Sequence, residues 1–233
     1  MRKLVGFQPT LRAQNSPIAK WTLSVTKESH MEIIKLDPRQ KKSAAKVVAA
    51  AFFDYPMFTL YFPDPKKRAR ILPWYLGNVL NCALRYGEVY TTAEISGVIF
   101  ILPPGHTKIS QSEYIQNGFL LTPLLLGLRA YVRSQECEKL VADTHEKIMD
   151  DRPHYYLWGL TVDPSQKRKG IGTALLKPVI EKADVDKKPI YLETHDEKNV
   201  AYYQRMGFSL VRTDVFPKFD LAIWCMLREP AIG

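Results

Sequence analysis

The sequence predicts an α/β fold in which helices flank a central sheet, and two observations predict it. After residue 153, runs rich in β-branched and aromatic residues alternate with helical runs across short connections. Such alternation is typical of parallel strands joined by crossover helices, so most of the sheet is expected to be parallel. Before residue 103, two β-branched runs at 87–92 and 95–102 surround a polar turn and predict a hairpin.

Upstream of the hairpin, the pattern predicts one short strand and two helices. Residues 32–36 are mostly apolar and predict the strand. Apolar residues three and four positions apart predict helices at 38–53 and 67–84. The run Asp54-Tyr55-Pro56 ends the first helix, and Asp64-Pro65 begins the second.

Downstream of the hairpin, two helical runs at 111–131 and 135–149 precede the alternating segment. The run Asp150-Asp151-Arg152-Pro153 breaks the second of them. The alternating segment then contains, in order, strand 155–162, helix 171–183, strand 189–194, helix 199–206 and strands 208–213 and 221–227.

Length and composition predict one domain preceded by an extension. Of the 233 residues, 46% are hydrophobic and 24% are charged, as in ordinary globular proteins. We place the domain at residues 31–230 and interpret residues 1–30 as a flexible extension, because they show no sustained periodicity. Their basic, acid-poor character is weakly similar to an organellar transit peptide, and Met31 is an alternative start of the chain.

The formal net charge of +9 indicates an anionic partner. No zinc-finger, RNA-recognition or basic-zipper pattern accompanies the charge, so a small ligand with phosphates is favoured over nucleic acid. The three cysteines are far apart, which argues against a zinc ribbon and a disulfide framework. The scattered histidines predict no metal site, and no apolar run reaches the ~18–20 residues of a membrane span.

The most informative segment joins strand 155–162 to helix 171–183. It contains Lys167, Arg168 and Lys169, and then Gly170 and Gly172 at the start of the helix. A helix N-terminus leaves backbone N–H groups unpaired and favours an anion, and glycine lets a phosphate approach the backbone. The segment therefore predicts a phosphate site, although a basic solvated turn would have the same composition.

Two other phosphate-binding loops do not match this segment. A Walker A loop requires Gly-Lys-Ser/Thr, which is absent. A dinucleotide fingerprint requires a third glycine three residues after Gly172, where Leu175 stands.

The downstream residues carry a resemblance to a known family. A Val-x-Pro run at 162–164 precedes the basic loop, and Asn199, Tyr203 and Gly207-Phe208 follow. The first part resembles the acyl-coenzyme A motif of the GNAT N-acetyltransferases, and the second resembles their C-terminal motif. Within that superfamily, the C-terminal half is most similar to the puromycin N-acetyltransferases. The specific part covers about residues 155–228.

The resemblance implies the GNAT fold, with a sheet that is antiparallel in its N-terminal half and parallel at its centre. The fourth and fifth strands of that fold splay apart. The implied reaction is direct transfer of an acetyl group from acetyl-coenzyme A to an amine of a small molecule. Neither nucleic acid nor a membrane is expected as a partner, and a cytoplasmic location is expected.

The resemblance also implies which residues bind coenzyme A. The backbone of strand 155–162 would pair with the pantetheine arm, the basic loop would hold the phosphates, and Asn199 would cap its helix and touch the cofactor. The implied residues are Leu160, Thr161, Val162, Lys167, Arg168, Lys169, Gly170, Ile171, Gly172, Thr173 and Asn199. Lys167 departs from the glutamine or arginine that is usual in the family, and keeps only the charge.

Two residues are expected to transfer protons during the reaction. Tyr203 is the candidate general acid, because a phenol stays protonated at neutral pH. Glu193 is the candidate general base, with His195 as the competitor. Each also has an ordinary structural interpretation, as a buried aromatic, a paired carboxylate and a surface histidine.

The acceptor substrate is the least determined part. The aromatic residues Phe53, Tyr55, Phe58 and Tyr61 and the apolar stretch 119–128 fit either a substrate pocket or the core. The alternatives to a small-molecule acetyltransferase are acetylation of a peptide and a non-catalytic coenzyme A-binding protein. The sequence leaves the oligomeric state open.

Overall fold

The computed structural model describes residues 31–231. The predicted division at residue 30 stays a prediction, because residues 1–30 lie outside the described part. The strands are β1 (Ile33–Lys35), β2 (Glu88–Thr92), β3 (Gly97–Leu102), β4 (Tyr155–Val162), β5 (Ile190–Thr194), β6 (Ser209–Phe216) and β7 (Leu221–Arg228). The helices are α1 (Lys41–Ala51), α2 (Pro56–Tyr61), α3 (Pro65–Tyr86), α4 (Gln111–Gln116), α5 (Thr122–Leu126), α6 (Leu128–Met149), α7 (Ile171–Val185) and α8 (Lys198–Arg205).

The seven strands form one mixed sheet in the order β1-β2-β3-β4-β5-β7-β6. This arrangement confirms the fold that the resemblance implied. The expectation of a mostly parallel sheet, taken from strand–helix alternation alone, is wrong: in residues 31–231 only β4 and β5 pair in parallel. The reason is that β6 and β7 form a hairpin that places β7 antiparallel beside β5.

The core lies on both faces of the sheet. On β3, Val98 and Phe100 pack into one apolar cluster with α1, α3 and α6. Ile99 and Ile101 pack into the other cluster with α7 and α8. Since successive side chains of a strand point to opposite faces, the two clusters lie on opposite sides of the sheet.

The segment between β3 and β4 differs from the prediction. The helix predicted at 111–131 is divided into α4, a 3₁₀ turn at Phe119–Leu121 and α5, and α6 begins at Leu128, seven residues before the predicted start. Gly118 and Gly127 have φ angles of 105° and 82°, which a continuous right-handed helix does not allow. A short helix that the sequence reading missed, α2, begins at Pro56, since proline suits the first turn of a helix.

The three cysteines are free and buried. In the part of the chain that the structure describes, no helix combines the length and apolar character needed to cross a membrane.

Candidate active site

The sheet opens between its two parallel strands. β4 pairs with β5 only through Tyr155 with Ile190 and Tyr156 with Tyr191. Beyond Tyr156, β4 continues to Val162 paired with β3 alone. The remaining backbone of β4 therefore has an unpaired edge on the β5 side, which is what an added extended ligand needs.

The strand edge contains the three residues that the sequence reading selected. Leu160 is half-buried and lines a cavity at the opening. Thr161 is buried and donates its hydroxyl to the Val98 carbonyl at 3.1 Å, so its side chain belongs to the sheet. Val162 is half-buried at the end of the strand.

The start of α7 presents unpaired backbone donors. Gly170 has a φ of 77°, and no side chain caps the helix. The first hydrogen bond of α7 runs from the Ala174 N–H to the Gly170 carbonyl, at 2.9 Å. The N–H groups of Ile171, Gly172 and Thr173 therefore have no acceptor within the helix, and they fit a phosphate group.

The loop before α7 is positively charged. Lys167, Arg168 and Lys169 are all exposed, and Lys169 donates to the Gln166 side chain at 2.8 Å. The acidic residue of the loop, Asp163, accepts the Ser165 N–H at 2.8 Å and the Ser165 hydroxyl at 2.7 Å. These hydrogen bonds lower the pKa of Asp163. The carboxylate is therefore held by local donors, which leaves the cations available for an anion.

A cavity of about 520 Å³ opens at the splayed strands. It extends from β4 and β5 to α2, α3 and α6, and it contains Glu193, His195, Asn199 and Tyr203. Its aromatic lining comprises Phe52, Tyr55, Phe58, Tyr75, Phe100, Tyr114, Phe119, Tyr131, Tyr156, Trp158 and Tyr203.

Part of the predicted acceptor region lies elsewhere. Phe53 and Tyr61 do not line the cavity, and Tyr61 is fully buried in the core. Leu124 and Leu128 of the apolar stretch 119–128 are mostly exposed. The cavity therefore takes its aromatic surface from only part of the predicted segments.

Glu193 is a carboxyl group with a strongly perturbed pKa. Burial raises its pKa to about 8, against the opposing effect of a hydrogen bond donated by the Tyr156 hydroxyl to Oε1. The other oxygen, Oε2, is buried and has no hydrogen-bond partner among the described residues. Glu193 therefore has one oxygen fixed by the protein and one available to a ligand.

His195 is neutral, and its ring orientation is determined by a hydrogen bond. Its Nδ1 lies 2.8 Å from the Ala222 carbonyl and must donate there, which leaves Nε2 with the lone pair. Nε2 is buried and has no partner among the described residues. Burial lowers the pKa of His195 to about 4.

Tyr203 lies in the middle of α8, buried to 9% exposure and facing the cavity. Burial raises the pKa of its phenol further above its ordinary value, with smaller contributions from Tyr202 and Tyr55. The hydroxyl group therefore remains protonated over the whole neutral range.

The expected capping role of Asn199 is wrong. α8 begins one residue earlier, at Lys198, whose N–H is accepted by the Asp196 carboxylate at 3.1 Å. Asn199 instead donates to the Thr194 hydroxyl at 3.0 Å, and it lines the cavity. The side chain thus connects α8 to the end of β5.

Neither Tyr156 nor Glu138, which place polar groups in the cavity, was selected from the sequence. Tyr156 orients Glu193, and Glu138 of α6 brings a second carboxyl group into the cavity. Glu138 lies four residues after the buried Ser134 and three before the buried Val141. A glutamate at helical spacing between buried positions was the available signal.

Comparisons with known proteins find a family match in part of the chain. Residues 124–208 match the acetyltransferase (GNAT) family model. Over these residues the chain is similar to the GNAT-type N-acetyltransferases. An uncharacterized N-acetyltransferase of Schizosaccharomyces pombe is 22% identical over 205 residues, which cover 84% of this chain and 82% of the relative.

Two solved structures share the GNAT fold with this enzyme. Arylalkylamine N-acetyltransferase 2 of Aedes aegypti has a TM-score of 0.60 at 13% identity, covering 87% of this chain and all (100%) of that one. The PaiA N-acetyltransferase of Thermoplasma acidophilum, solved in complex with coenzyme A, has a TM-score of 0.50 at 13% identity, covering 86% of this chain and 99% of that one.

Acetyl-coenzyme A is the cofactor of this GNAT family. The structure has a place for this cofactor, because the unpaired N–H groups of α7, the basic loop and the unpaired edge of β4 lie together at the carboxyl end of β4. When bound, acetyl-coenzyme A supplies the acetyl thioester.

Proposed function

We propose that this GNAT enzyme acetylates the amine of a small molecule by direct attack within a ternary complex. The observation that carries the proposal is the cavity of about 520 Å³ at the splayed strands, in which Glu193 and Tyr203 lie among aromatic side chains. Its size lies within the roughly 300–1,000 Å³ of small-molecule sites. Acetylation of a peptide is the alternative, and the aromatic lining favours the small molecule.

The binding roles follow from the two features beside the cavity. The N–H groups of Ile171, Gly172 and Thr173 and the side chains of Lys167, Arg168 and Lys169 bind the phosphates. The edge of β4 at Leu160, Thr161 and Val162 pairs with the pantetheine arm, and a backbone N–H near Leu160 polarises the thioester carbonyl. Asn199 holds the end of β5 against this arm.

Glu193 accepts the proton of the attacking amine, and Tyr203 donates a proton to the departing thiolate. A base whose pKa is about 8 is matched to an amine at neutral pH. No acyl-enzyme is needed. The thiols of Cys82, Cys137 and Cys225 do not line the cavity, and burial raises the pKa of each.

The resemblance to puromycin N-acetyltransferases stays a prediction about the acceptor. Contacts within the site decide specificity, and the fold alone does not. Puromycin therefore belongs in any screen of amines, beside simple alkyl and aryl amines.

The first test is thermal unfolding with and without acetyl-coenzyme A, with ATP and NAD as controls. A ligand that binds only the native state raises the midpoint, by an amount equivalent to about 2.7 kcal/mol at one hundred times Kd. We expect a rise with acetyl-coenzyme A alone, and release of free thiol when a suitable amine is added. A rise without turnover of any amine would support the non-catalytic alternative.

We expect Glu193→Gln to lower kcat by roughly 100-fold and to abolish the rise of kcat with pH that the base causes. The carboxyl group must be ionised to act as base, so kcat of the native enzyme should rise with pH through about 8. The measurement is kcat at saturating amine from pH 5 to 10.

The matched control is His195→Asn, which retains an N–H donor for the Ala222 carbonyl. If His195 were the base, kcat would instead rise with pH near the His195 pKa of about 4. A rise near pH 8 that persists in Glu193→Gln and disappears in His195→Asn would contradict the assignment of the base.

A further inference from the structure

Glu138 lies in the cavity, yet acetyl transfer as described above leaves it without a role. It is part of α6, in the segment between β3 and β4, and it is half-buried. Its Oε1 accepts a hydrogen bond from the Tyr61 hydroxyl at 3.0 Å. Burial raises the pKa of Glu138, against the opposing effect of the Tyr61 hydrogen bond, because an ionised carboxylate is costly to bury unless a cation accompanies it.

No cation of the described chain pairs with Glu138. Two lysines line the cavity, but both bind surface carboxylates: Lys139 reaches Asp143 at 2.7 Å, and Lys108 reaches Glu146 at 2.9 Å. The two cavity histidines are uncharged, because burial lowers the pKa of His145 to about 3 and that of His195 to about 4. A positive partner for the ionised form of Glu138 therefore has to come from a ligand.

Four tyrosines lie near this carboxyl group. Its negative charge contributes to the raised pKa of Tyr61, Tyr75, Tyr114 and Tyr156, so all four phenols lie within its electrostatic reach. Faces of aromatic rings attract cations, and a buried acid among them suits an ammonium group.

The same cavity contains two other polar atoms that have no hydrogen-bond partner in the described chain. Glu193 Oε2 and His195 Nε2 are buried and unpartnered within residues 31–231, and His195 is only 5% exposed. These groups lie on β5 and just after it, whereas Glu138 belongs to α6. Glu138 is thus a second acidic position in the same cavity, on a different element, and its charge contributes to the raised pKa of Glu193.

We propose that the acceptor is a diamine, whose second, protonated nitrogen binds Glu138. The inference rests on the proposed acetylation of a small amine. The reacting nitrogen must be neutral to attack, so it gives its proton to Glu193 and cannot neutralise a second carboxylate. A second ammonium group keeps its charge throughout and remains paired with Glu138, while the aromatic walls contact the carbon chain between the two nitrogens.

The test compares two substrates with the same six-carbon chain, 1,6-diaminohexane and hexylamine, by thiol release with acetyl-coenzyme A. We expect the native enzyme to prefer the diamine in kcat/KM by roughly 10- to 100-fold, as for a hydrogen bond to a charged group. In Glu138→Gln, which keeps an acceptor for Tyr61, KM for the diamine should rise by the same factor. The preference for the diamine over hexylamine should then disappear, whatever change the two substrates share, because the Glu138 charge also contributes to the raised pKa of Glu193.

The matched control is Glu136→Gln, on the same helix. Glu136 pairs with Lys218 at the surface and does not line the cavity, so both substrates should keep their constants. Equal kcat/KM for the two amines in the native enzyme would overturn the inference, and this comparison requires no variant to fold. A diamine preference that survives in a folded Glu138→Gln would overturn it as well.

These outcomes are separate from failure of the proposed function. If acetyl-coenzyme A did not stabilise the enzyme and no amine released thiol, small-molecule acetylation itself would be contradicted. If hexylamine reacted as well as the diamine, acetylation would stand and only the role of Glu138 would be lost.

Discussion

Replacing Gly170 with valine is expected to weaken acetyl-coenzyme A binding by roughly 100-fold or more, equivalent to about 2.7 kcal/mol. Gly170 has a φ of 77°, a conformation that a β-branched residue rarely adopts. No protein atom lies within 4 Å of a β-carbon built there, so the added side chain would extend into the space in front of the α7 donors. Isothermal titration with coenzyme A measures the loss.

Gly105→Val separates loss of the phosphate site from loss of stability. Gly105 has a φ of 87° and likewise no atom within 4 Å of a built β-carbon, but it lies in the turn after β3. Both variants should lose about 1–3 kcal/mol of stability through backbone strain. Only Gly170→Val should lose the cofactor. Native affinity in a folded Gly170→Val would mean that the loop is a basic turn without a ligand.

Replacing Tyr203 with phenylalanine is expected to lower kcat by about 10²- to 10⁴-fold, the usual contribution of a general acid. Affinity for acetyl-coenzyme A should change little, because the backbone of the loop and of β4 carries the binding. The fold should tolerate the change, since no described side chain hydrogen-bonds to the Tyr203 hydroxyl. Steady-state kinetics together with a binding titration separate the two effects.

Tyr202→Phe is the matched control for this variant. It removes a hydroxyl group from the adjacent position of α8, and Tyr202 does not line the cavity. Its kcat should remain within a few-fold of that of the native enzyme. A Tyr203→Phe enzyme with undiminished kcat would remove the tyrosine from the proton transfer and leave it a core residue.

Local patterns determined several elements of this protein without reference to the fold. β4 occupies the predicted residues, because a β-branched and aromatic run between Pro153 and Pro164 has sharp boundaries. The start of α7 at Ile171 follows from the glycine before it. The basic loop could be selected as a candidate phosphate site because such a site depends on neighbouring residues: a strand end, three cations and two glycines within a short segment.

The sheet pairing and the cavity depended on tertiary structure. Periodicity indicates that a segment is a strand, but not which strand lies beside it, so the hairpin insertion of β7 was not predicted. Asparagine commonly caps a helix, yet Asn199 donates a hydrogen bond to Thr194 instead, because β5 ends beside α8.

The sequence by itself indicated a GNAT-type acetyltransferase, a candidate phosphate loop and the candidate residues Glu193, His195 and Tyr203. Only the tertiary structure decided their chemical states. Burial raises the pKa of Glu193 to about 8 and lowers that of His195 to about 4, and both shifts come from elements distant in sequence that exclude water. The fold also brought Glu138 to the site, because α6 lines the cavity at the opening in the sheet, and the separation of residues 138 and 193 along the chain gave no sign of this.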